Sequence, residues 1–63
     1  MYNVAICDDT EEERLQAAEY AGRFFEREGI EVHIDTYAAG RALLESGRKY
    51  DLYLLDDARN ERH

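Results

Sequence analysis

Two short apolar runs, each ending in a pair of acidic residues, set the pattern of this chain. The first run extends from Val4 to Cys7 and is followed by Asp8-Asp9. The second extends from Leu52 to Leu55 and is followed by Asp56-Asp57. Consecutive apolar residues over four to eight positions predict strands that are buried on both faces of a sheet. We therefore predict a first strand over Tyr2 to Cys7 and a last strand that opens at Tyr50-Asp51.

A different pattern lies between these runs. Residues 30–37 alternate between apolar and polar, which predicts a strand with one buried face and suits the edge of a sheet. Thr10 and Glu13 fit a capping box at the start of a first helix, and Gly29 suits its end. A short second helix is predicted over Ala38 to Glu45. The expected core positions of the two helices are Leu15, Ala18, Ala21, Phe24, Phe25, Ala42, Leu43 and Leu44.

The predicted order of elements is strand, helix, strand, helix, strand. Helical crossovers require parallel strands and are right-handed in nearly all proteins. Because the strand with the alternating pattern suits an edge, the expected strand order is 2-1-3, with one helix on each face. The fold class is therefore α/β, a truncated doubly wound parallel sheet. In such a sheet, ligands bind at the carboxyl ends of the two strands between which the chain reverses direction.

Composition limits the possible functions. The 63 residues form at most one domain, 1–63, and the formal net charge is −7. No segment concentrates Lys and Arg, so we expect no nucleic-acid binding by this chain. No apolar run approaches the roughly 20 residues of a membrane span. The single cysteine, Cys7, favours a reducing compartment, and we expect a cytoplasmic protein.

The acidic residues at the strand ends are the candidate site. Several carboxylates in one crevice repel each other, so either some are protonated or a cation binds among them. Mg²⁺ is the expected cation, since it takes one or two carboxylates, keeps several waters and leaves room for a phosphate. An aspartate beside such an ion could accept a phosphoryl group as an aspartyl phosphate. The alternative is that these are solvated acids in loops, and the pattern by itself does not decide between the two.

The two acidic blocks and the distance between them resemble the first half of the receiver domain of response regulators. Val4 to Asp9 resembles the first strand and acidic pair of that family, and Asp51 to Asp56 resembles its third strand and phosphoacceptor. Residues 34–44 resemble the LytTR-type subgroup. The resemblance implies a signalling domain rather than an enzyme.

That resemblance also implies the roles of single residues. Asp8 and Asp9 would hold Mg²⁺, and Asp56 would be both a ligand and the phosphoacceptor. The carbonyl of Ala58 would be a further ligand. A sensor histidine kinase would be the phosphate donor. A third option is a phosphatase of the haloacid-dehalogenase type. We discount it, because that chemistry needs a second acid at the position where Ala58 stands.

Departures from the family lead to further expectations. The residues after Asp56 lack the usual apolar residue and Met-Pro, and the sequence ends before the hydroxyl residue and the lysine that respond to the phosphate. We therefore expect a truncated receiver whose signalling is impaired. Its third strand would be an unpaired edge, which favours a homo-oligomer formed by pairing of that strand with a partner strand or by exchange of elements between chains. The alternative function is an oligomerising half-domain with a vestigial acidic pocket.

Overall fold

The computed structural model of the chain describes residues 1–55. Within them lie three strands, β1 (Tyr2–Cys7), β2 (Val32–Tyr37) and β3 (Leu52–Leu55). Two helices connect the strands, α1 (Glu11–Arg27) and α2 (Gly40–Ser46). The predicted site residues Asp56, Asp57 and Ala58 lie outside the described residues.

The three strands form one parallel sheet in the order β2-β1-β3, which confirms the predicted α/β fold and strand order. Cys7, the last residue of β1, is paired with Tyr37 on one side and with Leu55 on the other. The carboxyl ends of all three strands therefore lie at the same edge of the sheet.

Each helix covers one face of the sheet, and both helices pack against β1. On one face, Phe25 of α1 packs against Val4 and Ile6, which are 0% and 1% exposed. On the other face, Leu43 of α2 packs against Ala5 and Cys7. Alternate side chains of a strand point to opposite faces, so β1 is buried on both sides only because a helix lies over each.

The helix ends confirm one predicted signal and correct another. Gly29, just beyond α1, has a φ of 74°, the left-handed conformation that glycine adopts at such positions. Thr10 is the N-cap of α1, but its side chain makes no capping hydrogen bond, so that half of the predicted capping box is wrong. Its hydroxyl instead donates to Asp9 Oδ1 at 3.3 Å.

Several predicted core positions are exposed. Leu15, Phe24 and Leu44 are 61%, 50% and 81% exposed, and Ala42 is exposed as well, so the expectation that these four residues belong to the core is wrong. The prediction that β3 is buried on both faces is also wrong, because only Leu52 is partly covered. The reason is that the two helical layers are too small to cover the whole sheet. Two helices, one of only seven residues, cover the central strand and leave much of β3 open.

Candidate functional site

Asp8 occupies the position where β1 ends in the middle of the sheet. It is the one buried charged residue within the described part of the chain, with 7% of its surface exposed. Its backbone N–H donates to the carbonyl of Tyr37 at 3.1 Å, which fixes Asp8 against the end of β2. On the other side, β3 ends at Leu55, and Asp56 is the next residue in the sequence. The structure therefore places Asp8 at the predicted edge, while Asp9 is exposed beside it.

Local hydrogen bonds fix residues 8–10, which connect β1 to α1 and which we call the acidic corner. The backbone N–H of Thr10 donates to Asp8 Oδ1 at 2.9 Å, an aspartate turn that leads the chain into α1. The guanidinium of Arg14, one turn into the helix, donates to the backbone carbonyl of Asp8 at 2.9 Å. The Asp8 carboxylate thus lies at the N-terminus of α1, where the helix dipole favours negative charge. The sequence did not predict the part played by Arg14, since only the fold brings its side chain back to Asp8.

Carboxylate oxygens are the ligands that hard divalent cations prefer. Asp8 and Asp9 are adjacent carboxylates at one strand end, and Mg²⁺ needs only one or two carboxylates with water at its other positions. Within residues 1–55, no group of three or more His, Cys, Asp or Glu side chains is arranged to hold a metal ion. Of the four predicted ligands, Asp8 and Asp9 lie within the described residues, next to each other in the chain just after β1. The other two, Asp56 and the Ala58 carbonyl, fall outside them.

A second polar cluster, which the sequence analysis missed, lies on the α2 face of the sheet. The hydroxyls of Tyr37 and Tyr50 are 2.6 Å apart, and the Tyr50 hydroxyl donates to Asp35 Oδ2 at 2.7 Å. The exposed side chains of His33 and Arg48 also contact the Asp35 carboxylate, at 3.0 and 3.3 Å. The alternation of β2 places His33, Asp35 and Tyr37 on one face, but no sequence signal brings Tyr50 to them.

This cluster shifts two pKa values in opposite directions. The hydrogen bond from Tyr50 lowers the pKa of Asp35, because it favours the ionised carboxylate. Partial burial, together with the hydrogen bonds to Tyr37 and Asp35, raises the pKa of Tyr50 above the usual range of a tyrosine. The cluster therefore keeps the phenol protonated and the carboxylate charged, and it ties the segment before β3 to β2.

Comparisons of the chain with protein-family models, with curated protein sequences and with solved structures find no match. Of the two helices in residues 1–55, neither is long and apolar enough to cross a membrane.

Proposed function

We propose that this chain is the N-terminal part of a response-regulator receiver domain of the LytTR type, with an acidic pocket for Mg²⁺ and with Asp56 as phosphoacceptor. The observation that supports this most strongly is the position of Asp8. It is buried at the carboxyl end of the central strand, in a sheet ordered β2-β1-β3. That is the point at which open α/β sheets bind ligands.

In this proposal Asp8, Asp9, Asp56 and the carbonyl of Ala58 hold the cation. When bound, Mg²⁺ offsets the repulsion among the carboxylates and the charge on the phosphoryl oxygens. A carboxylate oxygen of Asp56 attacks the phosphorus of a phosphohistidine on a sensor kinase. The P–N bond breaks, and the imidazole of the kinase leaves and takes up a proton. An acyl phosphate remains on Asp56.

The other residues of the corner have positioning roles in this chemistry. The Thr10 N–H and the Arg14 guanidinium fix the side chain and the carbonyl of Asp8, respectively. The buried free thiol of Cys7 lies next to this corner and suits a reducing, cytoplasmic compartment, which is where we propose that the protein acts.

Intact-mass spectrometry after incubation with acetyl phosphate and Mg²⁺ tests the proposal. We expect the addition of one phosphoryl group, its loss in Asp56→Asn, and its retention in the matched control Asp57→Asn. Asp8→Asn should reduce the addition at low Mg²⁺ while the circular dichroism spectrum stays that of the folded chain. No addition to a folded chain, or equal addition in Asp56→Asn, would contradict the proposal.

A second candidate function is an assembly module in which the acidic pocket is unused. The exposed apolar residues of β3 favour it, since Tyr53, Leu54 and Leu55 are 45%, 37% and 62% exposed. Thermal unfolding separates the two candidates. A metal site predicts a melting temperature that rises with Mg²⁺ in the parent chain and not in Asp8→Asn. An assembly module predicts a melting temperature that rises with protein concentration and is indifferent to Mg²⁺.

A further inference from the structure

The residues that lead into β3 are attached to the sheet mainly by hydrogen bonds. Of the four residues of β3, only Leu52 is partly buried. Just before the strand, the Asp51 N–H donates to the Asn3 carbonyl at 2.7 Å, and the Asn3 N–H donates to Asp51 Oδ2 at 2.8 Å. This pair of hydrogen bonds fixes the start of β3 against β1. It is exposed to solvent, so its net contribution to stability is modest.

A single carboxylate on β2 receives further contacts from this segment. The Tyr50 hydroxyl donates to Asp35 Oδ2 at 2.7 Å, and the Arg48 guanidinium lies 3.3 Å from the same oxygen. His33 Nε2 lies 3.0 Å from the second oxygen of Asp35. β2 and β3 are at opposite edges of the described sheet, with β1 between them. The contacts of Asp35 therefore reach across the central strand and join the two edges.

Tyr50 carries this connection onto β3 itself. Its ring packs edge-on against the rings of Tyr37 and Tyr53, with centroids 6.3 and 5.7 Å apart. The Tyr50 N–H donates to the Tyr53 hydroxyl at 3.1 Å, and the Tyr50 hydroxyl lies 2.6 Å from that of Tyr37. Tyr50 and Tyr37 also cover the buried cluster beneath α2. A continuous set of hydrogen bonds and aromatic contacts thus leads from Asp35 to β3.

The rest of the sheet has a core of its own. Val4 and Ile6 of β1 pack against Phe25 of α1, and two partly buried residues of β2 pack against the same cluster. Among the residues of β3, Leu52 alone belongs to it. β1, α1 and β2 therefore share nearly all of this core without β3, and they can keep it when β3 leaves the sheet.

We propose that Asp35 is a latch that holds β3 in the sheet, and that residues 48–55 dock and undock as one unit while β1, α1 and β2 remain folded. Segments open locally, before the whole chain unfolds, where few apolar side chains are buried and exposed hydrogen bonds make the attachment. β3 and the residues before it meet both conditions. The latch sets the equilibrium between the docked and the undocked strand, because its hydrogen bonds exist only in the docked state.

The latch also bears on the acidic corner. Asp56 follows Leu55 in the sequence, so only a docked β3 directs the chain toward the edge of the sheet where Asp8 lies. An intact latch is then a condition for phosphoryl transfer to Asp56, and this consequence rests on the proposed function. The docking of β3 does not rest on it, and it is measured without phosphate or Mg²⁺.

Amide hydrogen exchange of the full chain, followed by NMR, measures the docking of β3. The amides of Asn3 and Asp51 report on the docked strand, because each donates to the other residue. The amide of Asp8, which donates to the Tyr37 carbonyl, and the amides in the middle of α1 report on the rest of the fold. We expect the first group to be on the order of ten times less protected than the second, because it exchanges through a local opening.

Tyr50→Phe tests the latch, since it removes the hydroxyl and keeps the ring. Exchange at Asn3 and Asp51 should become about tenfold faster, near the lower end for loss of a hydrogen bond to a charged group, because Asp35 is 24% exposed and water replaces part of the contact. The second group should accelerate by a similar factor, because global unfolding also breaks the latch. The matched control Tyr20→Phe removes the same atom from a tyrosine that is 78% exposed on α1, and it should change neither group.

A double-mutant cycle assigns the effect to Asp35. Asp35→Ala should accelerate exchange at Asn3 and Asp51 at least as much as Tyr50→Phe does. The double variant Asp35→Ala/Tyr50→Phe should add little to Asp35→Ala alone, because both changes remove the same hydrogen bond.

Gly22→Ala separates the docking of β3 from the stability of the whole chain. Gly22 lies inside α1 with open space around its Cα, so alanine should slow exchange of the second group by up to about fivefold. Asn3 and Asp51 should not change, because α1 stays folded when β3 undocks. Equal protection of both groups in the parent chain would overturn the proposal. So would slowing of both groups by Gly22→Ala, no effect of Tyr50→Phe in a folded chain, or losses that multiply in the double variant.

Discussion

Replacement of Phe25 with alanine is expected to remove most of the stability of this chain. Phe25 is 6% exposed and joins α1 to Val4 and Ile6, the two most deeply buried large side chains in the described residues. Its ring also packs on that of Tyr2, with centroids 5.0 Å apart. Phe25 thus contributes the main contact between α1 and the central strand, and few other side chains could fill the space that its removal would leave.

The size of the effect follows from this burial. Replacing a buried phenylalanine with alanine typically costs about 3–5 kcal/mol, because apolar burial is lost and a cavity remains. A domain of 63 residues has a total stability of roughly 3–9 kcal/mol. The variant should therefore be partly or wholly unfolded at room temperature, and it should lose the acidic corner along with the sheet.

Phe24→Ala is the matched control for Phe25→Ala. The same side chain is removed one position away, but Phe24 is 50% exposed, so the expected loss is about 1 kcal/mol. Urea unfolding followed by circular dichroism measures both losses. Both variants should be measured at the same low protein concentration, so that association between copies does not add to the difference between them. Equal losses for the two variants would refute the assignment of Phe25, rather than Phe24, to the core.

Two further changes test separate parts of the structure. The pKa of Tyr50 is raised in the folded chain, so its contribution to stability is complete below the ordinary tyrosine pKa of about 10 and is lost as the pH rises through the raised value. The pKa of Asp35 is lowered, so its contribution is complete above about pH 4 and is lost as the pH falls through the lowered value. In Tyr50→Phe, the free energy of unfolding measured against pH should lose its fall at alkaline pH and most of its fall at acidic pH. An unchanged fall at alkaline pH would contradict the hydrogen-bond network of Tyr50 and Asp35. At the glycines, Gly47→Ala should cost about 1 kcal/mol because φ is 69°, whereas Gly22→Ala, inside α1 with open space around its Cα, should stabilise the chain by up to about 1 kcal/mol. Urea midpoints that shift in the same direction for both would argue against these backbone conformations.

The strand order could be predicted from the sequence because burial differs between the strands. A strand covered on both faces has apolar residues at every position, as Val4 to Cys7 do, and an edge strand alternates, as residues 32–37 do. The same argument failed for β3, whose apolar residues are largely exposed. An apolar run shows that a strand suits burial on both faces, but it does not show that the chain supplies the layers that would bury it.

Helix periodicity was less informative than strand pattern for a similar reason. Spacings of three and four place Phe24 and Phe25 on neighbouring stripes of α1, yet only one stripe faces the three-stranded sheet. The position of Asp8 was predictable because it follows a central strand. The contacts of Arg14 and of Tyr50 were not, since they depend on how α1 and the segment before β3 are placed over the sheet.

The two candidate functions depend on different parts of the sheet, so experiments can separate them. An assembly module depends on the exposed apolar residues of β3 and on the groove between α1 and β3, where Leu54 and Tyr20 lie. The phosphoacceptor chemistry depends on the carboxyl end of the sheet, where Asp8 is held by Thr10 and Arg14. Tyr20→Glu should therefore leave phosphoryl addition unchanged, and Asp8→Asn should leave the oligomeric state measured by sedimentation velocity unchanged. If Tyr20→Glu abolished both self-association and phosphoryl addition in a folded chain, self-association would be a requirement for the acidic site, and the two surfaces would have to be treated as one.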